Sequence, residues 1–126
     1  MLRDAPIIPY IPVADMARAR KFYQEKLGLE PTEVYGPEGA FYGFGQGTVA
    51  FMYKSAGAGT SKASIAFWQV KDVEAEVAAL KARGVVFEEY DHPGLKTVNS
   101  ISYHPKARTA WFKDSEGNIL ALSQRV

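Results

Sequence analysis

The chain has two histidines, and both lie in one polar stretch toward its C-terminal end. His92 follows Asp91, and His104 precedes Pro105. An imidazole that titrates near neutral pH can serve as a general base or contact an anion. Together with Asp91, the two histidines also supply the donors of a two-histidine, one-carboxylate metal site. Solvated loop histidines beside turn prolines are the alternative, so His92 and His104 are candidates and no more.

Acidic residues form the second set of groups that could do chemistry. Glu88 and Glu89 are adjacent in an extended segment, and adjacent strand residues point to opposite faces, so only one of them can enter a cavity. That residue is a candidate acid or base. The remaining carboxylates, including Glu30, Glu33 and Glu38, suit a solvated sheet edge.

Three further patterns do not amount to ligand sites. The glycines of residues 43–47 lead into strand sequence rather than a helix, which argues against a phosphate loop. Residues 114–118 lack the pattern of a calcium loop. Four basic residues between positions 18 and 26 are interrupted by other side chains and suit a solvated helix face. They are Arg18, Arg20, Lys21 and Lys26.

Length and composition exclude several classes of protein. The 126 residues match one ordinary domain, and the absence of cysteine excludes disulfides, thiolate metal sites and a cysteine nucleophile. A net charge of +1 gives no reason to expect a nucleic-acid or membrane partner. No apolar run approaches the roughly 20 residues of a membrane span, and the N-terminal residues lack a signal-peptide layout. We therefore expect a cytoplasmic protein.

The elements that must position these groups form a series that begins near residue 6. Residues 6–13 are short and apolar, as in a strand, and Asp15 suits a helix N-cap. Residues 16–27 have apolar side chains at helical spacing, and Gly28 suits a left-handed helix end. The order is therefore strand, aspartate, helix, glycine.

The same order returns from residue 63. Residues 63–70 predict a strand, Asp72 an N-cap, residues 73–83 a helix and Gly84 its end. The two aspartates are 57 positions apart and the two glycines 56. This agreement indicates a duplicated unit.

Each copy then continues with β-prone sequence that closes in a hairpin. The expected strands are 29–35, 40–44 and 48–53 in the first copy, and 85–90, 109–113 and 118–124 in the second. The second copy also carries an additional loop over about residues 93–108. We therefore predict one α+β domain over residues 1–126, with modules of about 5–54 and 63–126 and a flexible linker over 55–62. Its two βαβββ modules form paired curved mixed sheets around a cavity, with the helices on the outer faces.

These residues resemble a known family. The pattern strand–Val-x-Asp–helix–Leu-Gly, with Phe22-Tyr23 in the first helix, is similar to the vicinal oxygen chelate superfamily, which contains glyoxalase I, bleomycin-resistance proteins and extradiol dioxygenases. The segment Ala110-Trp-Phe-Lys-Asp-Ser-Glu-Gly-Asn-Ile-Leu120 is similar to that family's last hairpin, Phe-x-Asp-Pro-Asp-Gly-Asn. The resemblance covers both modules. It implies a U-shaped cavity that is often completed in a homodimer, and so we expect a homodimer.

Proteins of that family usually hold a divalent metal through His, Gln or Glu on the first and last strands of each module. The corresponding positions here are Ile8, Phe51, Ile65 and Ala121, none of which is a metal ligand. A shift of one residue brings no good ligand either. We therefore expect no metal and no cofactor, and the departure argues against metal-dependent isomerase or dioxygenase chemistry.

The face that these positions share predicts the lining of the cavity. Residues two apart on a strand point the same way. The expected ligand-binding residues are Ile8, Tyr10, Phe51, Tyr53, Ile65, Phe67, Gln69 and Ala121, with Val49, Ile119 and Ser123 on the same faces. This apolar and aromatic set suits an organic ligand, and a filled core between two sheets is the alternative. Trp68 is expected to face its helix, while Trp111 is left unassigned.

We predict a small-molecule binding protein of this superfamily that lacks the usual metal ligands and binds an apolar or aromatic ligand, with drug sequestration as one such role. The alternative is a lyase- or isomerase-type enzyme that acts without the family metal or with a relocated one, through His92, His104, Tyr10 or Tyr53. A structural or regulatory dimer with a filled cavity is the third interpretation.

Overall fold

Two four-stranded mixed sheets, each accompanied by one helix, make up the fold. A computed structural model describes residues 1–126. The first module consists of β1 (Tyr10–Val13), α1 (Met16–Leu27), β2 (Glu33–Tyr35), β3 (Gly39–Gly43) and β4 (Val49–Lys54). Its sheet has the order β1-β4-β3-β2, in which β1 is parallel to β4 and the other neighbours are antiparallel.

The second module repeats this arrangement. Its elements are β5 (Ala66–Gln69), α2 (Val73–Ala82), β6 (Asp91–His92), β7 (Leu95–Lys96), β8 (Ser102–His104), β9 (Ala107–Lys113) and β10 (Ile119–Arg125). The sheet order is β5-β10-β9-β8, with β5 parallel to β10, while β6 and β7 form a separate small hairpin. The predicted α+β fold of paired βαβββ modules is confirmed.

The helix boundaries follow the signals in the sequence. The carboxylate of Asp15 accepts a hydrogen bond from the Arg18 amide at 3.0 Å, and the carboxylate of Asp72 accepts one from Ala75 at 3.1 Å. Gly28 ends α1 in the left-handed region with φ 70°, which a side chain rarely adopts. Both N-caps and the first helix end are confirmed.

The outer strand of the second sheet is not the predicted one. Residues 85–90 form no regular strand and pair with β9 only at an isolated bridge between Phe87 and Phe112. The regular outer strand is β8, inside the stretch predicted as a loop. Hydrogen bonds to Glu89 account for this difference in the outer strand. Its carboxylate accepts hydrogen bonds from Thr97 Oγ1 at 2.6 Å and from the amide and hydroxyl of Ser100 at 3.0 and 2.9 Å.

A tight turn follows from these bonds. Asn99 and Ser100 adopt positive φ values of 52° and 73°, and the chain reverses to form a bridge between Val98 and Ile101. The reversal places β8 beside β9, with which it pairs antiparallel. Asparagine adopts positive φ more readily than most residues, but neither residue is a glycine, and a left-handed turn was not predicted here.

Alternate residues of the longer strands point toward the helices and form the core. In the first module, Ile11, Met52 and Tyr42 are buried beneath α1, and in the second, Leu120 and Phe112 are fully buried. Trp68 lies on this side as predicted, with its ring 6.3 Å from that of Phe112 at an interplanar angle of 11°. The residues between them point to the opposite side, which we call the open face of each sheet.

The β9–β10 turn joins the two modules through a buried carboxylate. The Glu116 side chain is 0% exposed, and its oxygens accept hydrogen bonds from the Arg18 guanidinium at 2.9 and 3.0 Å. The amides of Ala14 and Asp15 donate to it at 3.0 and 2.9 Å, and Ser115 Oγ donates at 2.7 Å. Arg18 is half exposed, in agreement with the predicted solvated basic face, but it is also an inter-module contact, which was not predicted.

Neighbouring polar groups extend this junction. Asp114 accepts a hydrogen bond from the buried Tyr23 hydroxyl at 2.8 Å, and the Asn118 amide donates to Pro12 O at 2.7 Å. The amide of Gly59, in the linker predicted to be flexible, donates to Asn118 Oδ1 at 3.1 Å. A side chain at Gly59 would overlap Glu116 O, so the linker packs closely on the turn.

Replacement of Glu116 by glutamine should destabilise the protein in a pH-dependent way. Burial alone would raise the pKa of Glu116, but hydrogen bonds from Arg18, Ser115 and Asp15 lower it to about 2 from the ordinary 4.5. Because the pKa is depressed, the stabilisation is present above pH 4.5 and is lost as the pH falls toward 2. We expect Glu116→Gln to lower the free energy of unfolding by about 2–4 kcal/mol at pH 7.

Urea denaturation of both proteins between pH 2 and pH 7 measures this difference. The gap between wild type and Glu116→Gln should close as the pH approaches 2. Glu25→Gln, which changes an exposed carboxylate on α1, is the matched control and should change the stability little. An equal effect of the two substitutions at pH 7 would contradict the proposed role of Glu116.

Candidate functional site

Five aromatic side chains cross the open face of the first sheet, one or two from each strand. We call them the aromatic row: Tyr10, Tyr35, Phe41, Phe51 and Tyr53. The ring centroids of Phe41 and Phe51 are 4.7 Å apart, as are those of Tyr10 and Tyr53. Phe51 also lies 6.0 Å from Tyr10 and 6.2 Å from Tyr35. Strand alternation places these side chains together, because their neighbours in sequence point to the core.

A cavity of about 390 Å³ opens on this row. Ile8, Tyr10, Tyr35, Phe41 and Phe51 line it, and all five side chains are apolar or aromatic. Tyr10 is 64% exposed and Tyr35 50% exposed, so much of this surface has no partner in the chain. The volume is within the range of about 300–1,000 Å³ that is typical of small-molecule sites.

The open face of the second sheet is less uniform. Phe67, Ala121 and Trp111 lie side by side across β5, β10 and β9, which places Trp111 on the open face. Thr109 and Ser123 form a hydrogen bond at 3.2 Å on the same face. This sheet therefore combines aromatic surface with hydroxyl groups.

Tyr90 adds a further ring beside the open face. It packs edge-on against Trp111, with centroids 5.6 Å apart. Burial and the nearby Glu88 raise the pKa of Tyr90 above its ordinary value, which favours the protonated phenol that already predominates at neutral pH. A protonated phenol can donate a hydrogen bond to a ligand.

A second, larger cleft of about 690 Å³ runs between the two sheets, where their outermost strands β1 and β5 face each other. Its lining includes Ile8, Pro9, Phe44, Thr48, Val49, Phe67, Trp68 and Gln69. Ile8 belongs to both cavities. The smaller cavity and the cleft thus meet at the beginning of β1.

The eight predicted ligand-binding residues are distributed unevenly over these spaces. Ile8, Tyr10 and Phe51 line the smaller cavity, and Ile8, Phe67 and Gln69 line the cleft. The other three line neither cavity: Tyr53 packs on Tyr10, Ala121 is only 2% exposed, and Ile65 packs partly buried against the core.

Two residues of the smaller cavity, Tyr35 and Phe41, are not among the ligand-binding residues predicted from the sequence. Both lie on strands that were predicted, and Phe41 is the direct cross-strand partner of Phe51. The predicted lining included only residues from the first and last strands of each module. Applying the same alternation to the middle strands would have found both.

The two histidines do not converge on a site. His104 accepts a hydrogen bond from the Lys106 amide at 3.3 Å, and both histidine side chains are exposed. The ring of His92 lies 6.1 Å from that of Tyr90. No cluster of three or more His, Asp or Glu side chains has an arrangement that could hold a metal, so Asp91, His92 and His104 do not form the three-ligand set considered above.

Glu88 and Glu89 point to different sides, as expected for adjacent extended residues. Glu88 forms an ion pair with Lys113, with 3.5 Å between Oε1 and Nζ. Hydrogen bonds from Thr97 and Ser100 lower the pKa of Glu89, which is occupied in holding the turn before β8. Neither carboxylate is a free acid or base in this arrangement.

This fold and sequence define the family of the chain. A sequence profile of the Glyoxalase/Bleomycin resistance protein/Dioxygenase superfamily matches residues 7–122. The chain belongs to this superfamily, and the resemblance noted from the sequence is confirmed. No match was found among curated proteins.

Solved structures with the same fold include proteins of different roles. The antibiotic binding protein TnmS3 from Streptomyces sp. CB03234 is 25% identical, with 96% of this chain and 97% of that chain covered and a TM-score of 0.68. A glyoxalase / bleomycin resistance protein from Catenulispora acidiphila DSM 44928 is 18% identical, with coverages of 95% and 97% and a TM-score of 0.70. The fosfomycin resistance protein FosX from Listeria monocytogenes is 17% identical, with coverages of 97% and 91% and a TM-score of 0.69.

One further property of the chain concerns its helices. Neither α1 nor α2 has the length and apolar character that crossing a membrane requires.

Proposed function

We propose that the protein binds a planar aromatic or otherwise apolar small molecule on the aromatic row, and that it does so without the metal used elsewhere in the superfamily. The observation that carries this proposal is the cavity of about 390 Å³ lined only by Ile8 and four rings. An organic ligand is the occupant whose chemistry matches such a lining.

Burial of aromatic surface would supply most of the affinity. Each square ångström of apolar surface removed from water contributes about 25 cal/mol, and a well-placed aromatic pair adds about 0.5–1.5 kcal/mol. Tyr10 and Tyr35 are at least half exposed and therefore retain surface that a ligand can cover. Both residues line the cavity, and their hydroxyls would orient a polar substituent of the ligand.

The likeness to TnmS3 supports this kind of ligand. That protein is described as an antibiotic binding protein, and it shares the fold over nearly the whole chain. We therefore propose drug sequestration as a role in which the ligand is bound and released unchanged.

The absence of metal ligands is the second part of the proposal. The four strand positions that the family pattern assigns to the metal carry Ile8, Phe51, Ile65 and Ala121, whose side chains have no donor atoms. Two of them, Ile8 and Phe51, line the smaller cavity. These two residues would contact an organic ligand through carbon atoms.

We further propose that the protein is a cytoplasmic homodimer whose single domain spans both modules. The open faces of both sheets carry exposed aromatic surface, with Phe67 63% and Tyr10 64% exposed. A second copy that places the open face of its second sheet opposite the aromatic row would close the site. It would add Phe67, Gln69 and the Thr109–Ser123 pair as the opposing wall.

The alternative is an enzyme of the lyase or isomerase type that works without the family metal. The observation that favours it is the contact between His92 and Tyr90, which brings an imidazole close to the open face of the second sheet. Tyr10 and Tyr53 would then supply acidic hydroxyls on the opposite wall. His104 stays a weaker candidate.

A thermal-shift screen tests the binding proposal and separates the two functions. We would use three planar probes of different charge: 9-aminoacridine, riboflavin and anthraquinone-2-sulfonate. At a hundredfold excess over Kd, a probe should stabilise the protein by about 2.7 kcal/mol and raise Tm by several degrees. Mass spectrometry of the recovered probe then distinguishes an unchanged ligand, which supports sequestration, from a product, which supports the enzyme.

Variants locate the binding site. Tyr10→Ala should weaken binding about fivefold or more, because it removes one stacking partner. Val34→Ala is the matched control, since Val34 is on β2 of the same sheet but points away from the aromatic row. If both variants bind equally well, the site is not on the row.

Elemental analysis of the natively purified protein tests the metal-free proposal. We expect far less than one equivalent of zinc, nickel, iron or manganese per chain, because the donor atoms are missing. One tightly held ion per chain that is lost together with probe binding would overturn this part of the proposal.

Light scattering at micromolar concentration tests the dimer. We expect twice the chain mass of 13.9 kDa. Phe67→Asp should shift the equilibrium toward the monomer, because it places a charge on the proposed opposing wall. A monomer mass for the wild-type protein would count against a shared site.

A further inference from the structure

We propose that Gly39 determines which ligands the aromatic row accepts, because it forms a socket that holds the ring of Phe51 down on the sheet and keeps the cavity open to flat molecules. This inference rests on the proposed function and adds to it a specificity-determining residue that contacts no ligand itself.

The backbone does not require a glycine at this position. Gly39 begins β3, pairs with Tyr53 across the sheet, and is not one of the seven glycines with positive φ. A strand interior usually disfavours glycine, which has no side chain to pack and a large conformational entropy to lose. The reason for this glycine must therefore lie in its surroundings.

The surroundings are the ring of Phe51. A Cβ atom added to Gly39 would overlap Phe51 Cζ and would lie 3.0 and 3.1 Å from Cε2 and Cε1, so all three nearest atoms belong to that one ring. Phe51 is directly opposite Phe41, two residues along β3 from Gly39. The ring therefore leans diagonally across the strands and covers Gly39, which is buried.

The position of this ring controls the space above it. Phe51 is central to the row, with contacts to Phe41, Tyr10 and Tyr35, and it is one of the five residues that line the cavity of about 390 Å³. A methyl group at position 39 would lift the ring off the sheet. The space into which it would move is the cavity itself.

This arrangement favours planar, fused-ring ligands. With its tip over Gly39, the Phe51 ring stays low over the sheet and leaves space that a flat molecule can cover, whereas a raised ring would divide that space. Phe51 stands where the family pattern places a metal ligand, so the socket keeps the replacement side chain out of the volume that a ligand needs. An aromatic ring over a glycine also stabilises a sheet by itself, and the test must separate the two effects.

A double-mutant cycle between Gly39→Ala and Phe51→Val makes this separation, with 9-aminoacridine as the probe. The probe is a flat, three-ring cation, which suits a cavity lined by ring faces and by no basic group. Fluorescence titration gives Kd, and urea denaturation gives the stability of each variant. Gly43→Ala is the matched control, because Gly43 is on the same strand and a Cβ there would meet only Thr32 Cγ2 at 3.2 Å.

We expect Gly39→Ala to weaken probe binding at least tenfold in the wild-type background, and less than twofold in the Phe51→Val background, where there is no ring to lift. Gly43→Ala should leave Kd within twofold. Equal effects of Gly39→Ala in the two backgrounds, or no effect in either, would overturn the proposal. A coupling seen in stability but not in Kd would show a purely structural role and would overturn it as well.

The result that would refute aromatic-ligand binding differs from the result that would refute the role of Gly39. If none of the proteins, wild type included, binds any of the three probes, aromatic-ligand binding fails and the specificity role of Gly39 fails with it. If wild type binds but Gly39 and Phe51 are not coupled, the proposed function stands and only the socket is wrong.

Discussion

The buried carboxylate of Glu116 is the contact on which the relative position of the two modules depends. It accepts hydrogen bonds from the backbone before α1, from Arg18 and from Ser115, while its own hairpin belongs to the second module. A carboxylate without exposure is costly to bury unless each oxygen is satisfied, and here both oxygens are. The same turn holds Tyr23 through Asp114 and the linker through Asn118. One short turn therefore fixes α1, β1 and the linker against the second sheet.

Within each module, strand alternation separates the residues of the core from those of the open face. The buried even-numbered residues of β4 and β10, among them Met52 and Leu120, pack against the helices, and the odd-numbered residues form the open faces. The open face of the first sheet contributes nothing comparable to the core, because its rings are partly or largely exposed. Selection for packing alone does not account for five rings on that face. A bound ligand or a second copy of the chain would cover these rings and so account for them.

Most of the fold could be predicted from the sequence. The features that could not be predicted have a common physical cause. The helix ends followed from Asp15, Asp72 and Gly28, and the face of Trp68 followed from alternation, because these depend on local rules. The outer strand β8 was predicted wrongly, and the ion pair of Arg18 with Glu116 was not predicted. Both depend on a carboxylate, Glu89 or Glu116, that collects hydrogen bonds from residues distant along the chain or from a non-glycine left-handed turn. No local pattern marks such a carboxylate as different from a solvated one.

The duplicated hairpins show how the two copies came to differ. The turn of residues 44–48 and that of residues 114–118 are 70 positions apart and close with equivalent bonds, Phe44 N to Thr48 O at 2.8 Å and Asp114 N to Asn118 O at 3.0 Å. Where the second turn has Asp114, Glu116 and Asn118, the first has Phe44, Gln46 and Thr48. The second turn reaches across and binds the first module. The first turn makes no such bonds, and its residues line the cleft of about 690 Å³ beside β5. The Glu116 junction and the hydrogen bonds from Arg83 to the carbonyls of Gln24 and Glu25 hold the modules together, whereas the first turn touches the second module through the rings of Phe44 and Trp68 and leaves an opening next to the aromatic row.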